Sequence, residues 1–175
     1  AAVSGAAVTG AAVSRWAGEL DFAVRAAREA GTIVMERYER LERIEAKGAK
    51  GSKDVVTEAD HASEAALIRA IRATFPGDAV FAEESGAHDG GDGSATGGRG
   101  RTWILDPVDG TVNYANGIPF FAVSVALAVD GRPTVGVVLD PARDECFAAA
   151  LDGPATLNGR TIGASAVSYT HLTLP

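Results

Sequence analysis

Between Trp16 and about residue 44 the apolar positions fall at three- and four-residue steps. Trp16, Leu20, Ala23, Ala27, Val34 and Tyr38 lie mostly on one side. That period predicts an amphipathic helix, with Gly31 as a tolerated weak point inside it. The pattern then stops. "KGAKGSK" sets Lys47, Lys50 and Lys53 among small residues with no apolar period, which predicts a mobile basic connector. A second helix is predicted from "TEADHASEAALIRAIRATFPG", where Ala65, Leu67, Ile68, Ile71 and Phe75 form the apolar face and Pro76-Gly77 ends the run. Thr57, followed three residues later by Asp60, has the form of a capping box with Asp in place of Glu.

Beyond residue 78 the period changes. "AVFAEES" (79 to 85) is a short apolar run that ends in acids, and a Gly-rich segment from Gly86 to Gly100 follows it. The loose G-x-G in that segment precedes no predicted helix, so a dinucleotide fingerprint is rejected. "WILDPVDG" is a second apolar run ending in acids. "FFAVSVALAV", "TVGVVLD" and "ECFAAA" then read as successive strands, with tight-turn chemistry at Asp130-Gly131. Two helices followed by an antiparallel meander predict an α+β fold, with the helices on one face of a mostly antiparallel sheet.

Composition narrows the field. The 175 residues are 46% hydrophobic and 22% charged, as expected for one globular domain with a sizeable core. No run of about 18 apolar residues is present to span a membrane. The net charge of −7 argues against a nucleic-acid partner. Cys146 is the single cysteine, which excludes an internal disulfide and fits a reducing cytoplasm. His61, His88 and His171 lack metal-ligand spacing. Residues 1–15 are small and Ser/Thr-broken and read as a disordered tail.

The chemistry resides in the acids at element ends: Asp60, Glu83-Glu84, and Asp106 with Asp109. Each has an ordinary reading alone, as a helix cap, a solvated pair, or turn residues. Brought together they would repel one another unless a cation or protons intervene. Oxygen donors without His or Cys suit a hard cation, magnesium before manganese or calcium. Gly110 and Thr111 open a short helical segment whose free N–H groups could receive a phosphate oxygen.

"WILDPVDGTVNYANGIPFFAVSVAL" resembles the signature of the inositol monophosphatase family, a D-P-x-D-G-T-x-N-[FY] core followed by G-x-P-x-F. "DVVTEADHASE" resembles the family's V-T-x-x-D element, "FAEESG" its E-E-S element, and "LNGRTIGAS" its later L-N-G segment. The resemblance covers about residues 16 to 165. It implies the N-terminal half of an α-β-α-β-α fold. It also implies two or three Mg2+ ions per complete site, held by Glu83, Asp106, Asp109 and the Val108 carbonyl. Glu83, Thr111 and Asp60 would be catalytic, with the Thr111 hydroxyl paired to Asp60. Gly110 and Thr111 would bind the substrate phosphate.

The implied reaction is hydrolysis of a small phosphorylated polyol or sugar, first of all myo-inositol 1-phosphate. Fructose-1,6-bisphosphatase, histidinol-phosphatase and nucleotide 3′-phosphatase are the alternatives within the fold. A cytoplasmic homodimer is implied for the whole protein. The family's W-D-x-x-A-G element, which supplies a further metal aspartate, has no counterpart after Ser165, and 166–175 ("AVSYTHLTLP") reads as a non-native tail. The expectation is therefore a truncated domain over 16–165 that binds magnesium poorly and turns over little. A catalytically incompetent fragment or binding module is the reading from another class.

Overall fold

The computed structural model describes residues 14–46, 52–90 and 100–164. The first helix, α1 (Ala17–Ala46), is entered through Ser14, whose Oγ accepts the Trp16 N–H at 3.1 Å. Ser14 thus satisfies one of the amides that a helix start leaves open. The same hydroxyl donates to the Leu151 carbonyl at 2.8 Å, and Arg15 lies 3.8 Å from Asp152. Residues 14 and 15, assigned to a tail by their composition, are docked on the end of the sheet.

The second helix, α2 (Ser52–Thr74), begins five residues before Thr57. Thr57 therefore lies inside the helix and not at its start, which corrects the capping-box expectation. The connector is shorter than its composition suggests: residues 47–51, with Lys47 and Lys50, lie outside the described residues, and Lys53 is already helical. At the other end the Phe75 N–H still reaches the Ile71 carbonyl, and Pro76 stops the helix there.

The strands are β1 (Ala79–Ala82), β2 (Gly86–His88), β3 (Arg101–Asp109), β4 (Ala122–Val129), β5 (Arg132–Asp140), β6 (Glu145–Ala150), β7 (Thr156–Leu157) and β8 (Arg160–Thr161). A short helix, α3 (Thr111–Ala115), follows β3. One eight-stranded sheet results, in the order β2-β1-β3-β4-β5-β6-β7-β8. The predicted meander is β4-β5-β6, and its first turn has Asp130 at φ 50° and Gly131 at φ 75°, both left-handed as a two-residue hairpin requires. Every pairing is antiparallel except β1 with β3, which is parallel.

Both long helices lie on one face, α1 across β4, β5 and β6 and α2 against β3. Period-two alternation aims Trp103, Leu105, Val123, Val125, Leu127, Val135, Val137 and Leu139 at them, all buried. Trp103 is fully enclosed between Phe22 and Phe75, and its Nε1–H donates to Asp78 Oδ2 at 2.9 Å. Arg101 Nε binds both oxygens of the same carboxylate, at 2.9 and 3.0 Å, while its Nη1 reaches Glu19 at 3.2 Å. This buried network pins α1 to the start of β3. The opposite face of the sheet carries Phe81, Ile104, Val138 and Phe147, all exposed.

Candidate active site

Strand parity builds the acidic cluster. β1 and β3 run side by side with Phe81 next to Ile104 and Ala82 next to Leu105. The ladder continues through the Glu83 N–H, which donates to the Leu105 carbonyl at 3.2 Å. The next neighbours are therefore Glu83 and Asp106, on the outward side that Phe81 and Ile104 share. Adjacent strands lie only about 4.8 Å apart, so two carboxylates on one side at neighbouring positions must interact.

The consequence is visible at Asp106. Burial, a hydrogen bond shared with the Glu83 carboxyl, and the charges of Glu83 and Asp109 push its carboxyl from 3.8 up to about 7, with the Val108 amide opposing. Its Oδ1 is buried without a hydrogen-bond partner. A buried carboxylate oxygen left unsatisfied beside a second carboxylate is a costly arrangement for protein groups alone. A hard cation would satisfy that oxygen. As the side chains stand, no group of three or more His, Cys, Asp or Glu among the described residues encloses an ion. The contact is a pair, Glu83 with Asp106, with Asp109 close enough to act through its charge. All are oxygen donors, the chemistry that suits magnesium.

Pro107 and Val108 lie within β3 between the two aspartates. The β3–β4 register slips between Asp106 and Asp109, a bulge that re-aims the strand end. Gly110 follows with φ 95°, ψ 34°, and a Cβ there would lie 3.1 Å from the Phe120 carbonyl oxygen and 3.3 Å from Phe121 Cα. Glycine is needed for both the left-handed backbone and the close approach. Thr111 Oγ1 donates to the Val108 carbonyl at 3.0 Å, so in this structure the hydroxyl is engaged there and not with Asp60. Beside Asp109 and Gly110 opens a cleft of about 370 Å³, lined also by Asn113, Phe120, Val138 and Phe147.

Asp60 comes from the other layer. It lies in the third turn of α2, 6% exposed, which rules out the helix-cap reading. Burial first, then the charges of Glu84 and Glu83, raise its carboxyl from 3.8 to about 7. The structure thus brings α2 and the ends of β1 and β3 within electrostatic reach of one another. Glu83 and Glu84 are exposed in the β1–β2 turn, but the Glu84 N–H donates to Glu64 Oε2 at 3.0 Å. Glu64 is 3% exposed and was not singled out from the sequence, where it is one more acid on a helix.

Comparison with known proteins places this geometry. The model of the inositol monophosphatase family matches residues 17–173, a span that takes in most of the segment 166–175. A Nus factor SuhB from Haemophilus influenzae is 45% identical over 139 residues, covering 79% of this chain and 49% of that protein. The inositol monophosphatase from Anabaena (Nostoc) sp. PCC 7120 superposes with a TM-score of 0.72 at 37% identity, covering 89% of this chain and 52% of that one. The extragenic suppressor protein SuhB from Bartonella henselae gives 0.71 at 31% identity, covering 86% and 55%. The chain spans about half the length of the curated relatives it matches. With the family model matched over residues 17–173, the chain belongs to the inositol monophosphatase family.

Proposed function

We propose that this chain carries the cation-binding carboxylates and the phosphate-facing turn of a magnesium-dependent phosphatase that acts on a small phosphate monoester, myo-inositol 1-phosphate first. The observation that supports the reading most is Asp106 Oδ1, buried and unpartnered beside Glu83. Glu83, Asp106, Asp109 and the Val108 carbonyl are the groups that would hold magnesium. Bound there, magnesium supplies an acidified water and neutralises charge on the phosphate and the departing oxygen.

The remaining work falls to the chain itself. The amides of Gly110 and Thr111 orient the phosphate, and the cleft beside them excludes water from one side of the alcohol group. Glu83 and Asp60 take up the proton released by the attacking water, with Thr111 Oγ1 as the relay. For that, the Thr111 hydroxyl must leave the Val108 carbonyl, to which it now donates. The same rotation frees that carbonyl to act as an oxygen ligand.

The test is phosphate release by the gene product that contains this chain, with Mg2+ and with EDTA. The panel comprises myo-inositol 1-phosphate, fructose 1,6-bisphosphate, histidinol phosphate and a 3′-phosphorylated nucleotide. Mg2+-dependent release, fastest on the inositol ester and lost in Asp106→Asn, is expected; release that persists in EDTA contradicts the reading. A second reading, a binding module that keeps the fold without turnover, is favoured by the uncovered apolar face at Phe81, Ile104, Val138 and Phe147. Magnesium binding with no release on any ester would decide for it.

A further inference from the structure

Glu83 sits on a three-residue loop, and the structure shows what holds that loop. β1 and β2 close at the pair Ala82–Gly86, leaving Glu83, Glu84 and Ser85 between them, with Gly86 at φ 77°. The Glu83 N–H still belongs to the ladder with β3. The Glu84 N–H has run past its strand, and its partner comes from another layer: the Glu64 carboxylate of α2.

Glu64 is an unusual choice for its position. It follows Asp60 by one helical turn, so the two carboxylates share a face of α2, and both are buried. Leu67 and Ile71 continue that buried face. Burying a carboxylate there is unfavourable unless the charge is hydrogen-bonded, and the charge-assisted bond from the Glu84 amide is what offsets it. A second acid beside Asp60 also adds repulsion, since Glu64 is among the charges that raise Asp60. An apolar residue would serve packing better. What the acid supplies is a fixed acceptor linking α2 to the loop.

We propose that Glu64 is a positioning residue for the cation site: by holding the Glu84 amide it fixes Glu83, and so the Glu83–Asp106 pair, against Asp60 on α2. The inference rests on the magnesium reading above and adds to it a residue that touches neither cation nor substrate. Partners that orient metal ligands typically change affinity about 10-fold or more when removed.

The experiment uses the chain in two states. In the metal-free protein, hydrogen exchange at the Glu84 amide reads the bond directly; a Mg2+ titration followed by amide NMR shifts then reads affinity. Glu64→Ala is expected to lose protection at Glu84 and to weaken Mg2+ binding about 10-fold. Glu64→Gln keeps an acceptor oxygen without the charge and is expected to retain protection and bind within about twofold of the parent chain. Should Glu64→Ala not fold, Glu64→Asp decides: it keeps the charge but withdraws the acceptor by one methylene, and is expected to bind more weakly than Glu64→Gln. Equal affinity in Glu64→Ala and the parent chain overturns the inference alone. So does Glu64→Gln falling as far as Glu64→Ala, or Glu64→Asp binding better than Glu64→Gln. A parent chain with no saturable Mg2+ response overturns the magnesium reading and this inference together.

Discussion

Replacing Asp106 by Asn should stabilise the metal-free protein at alkaline pH, even though it removes a residue at the heart of the site. The reasoning starts from the carboxyl's shift from 3.8 to about 7, whose first cause is burial and second the hydrogen bond with Glu83. A folded-state value above the unfolded one means that the folded protein holds the proton more tightly. The stability this contributes is complete below about pH 4 and is lost as pH rises through about 7. A shift of roughly three pH units corresponds to a ceiling of about 4 kcal/mol. Asp106 is only partly buried and water screens part of the effect, so about 1–3 kcal/mol is the expected size. The Asn amide needs no proton from solvent to donate to Glu83, and it carries no charge to repel.

The assay is urea unfolding in EDTA at pH 4 and pH 8, for the parent chain and Asp106→Asn. At pH 8 the variant's midpoint should rise by about 1 M, and at pH 4 the two should nearly coincide. A variant less stable than the parent at pH 8, or a difference that is the same at both pH values, would refute the argument that Asp106 is held in a repulsive environment.

Other consequences follow from the same geometry. Asp60→Asn should behave alike, with stability in EDTA gained above pH 7 and little changed near pH 4, because burial and the charges of Glu84 and Glu83 raise Asp60 to about 7 as well; the same unfolding series measures it. Asp78→Ala should cost about 1–3 kcal/mol in chemical denaturation, since it leaves the Trp103 indole N–H unpaired in the core and the Arg101 guanidinium, 13% exposed, with Glu19 alone. Gly110→Ala should cost about 1–3 kcal/mol, from its φ of 95° and the contacts a Cβ would make with Phe120 and Phe121, read as a drop in melting temperature. Phe147→Asp, on the exposed face, should leave the melting temperature nearly unchanged, while Val137→Asp, on the helix-facing side at 1% exposure, should abolish the folded circular-dichroism signal.

The elements with a strong period were readable from the chain: α1, the meander β4-β5-β6, and the Asp130-Gly131 turn. Those set by partners distant in sequence were not. Ser14 is a helix cap hidden in a run of small residues, and nothing local marks which serine does the capping. α2 extends back through Ser52 because a helix nucleated by its packed face adds turns at little cost, so a segment with no apolar period of its own can still join it. Asn158-Gly159 carries the same two-residue turn chemistry as Asp130-Gly131, with φ 49° and 76°, but the strands it joins are two residues each and show no alternation.

At the site, the acids at the strand ends were visible as a pattern, yet what juxtaposes them was not. The parallel pairing of β1 with β3 aligns Glu83 with Asp106, and the hairpin strand β2 lies between them in sequence. Glu64 was invisible for a related reason: its partner is a backbone amide 20 residues away in a turn, which leaves no mark on the identity of either residue.

The most direct measurement is a Mg2+ titration of the chain followed by backbone amide NMR, with Asp106→Asn alongside. The account predicts saturable shifts confined to Glu83-Glu84, the stretch from Asp106 to Thr111, and Asp60, all absent in the variant. Shifts spread over surface acids such as Asp21, Asp144 and Asp152, or a response that Asp106→Asn leaves intact, would contradict it.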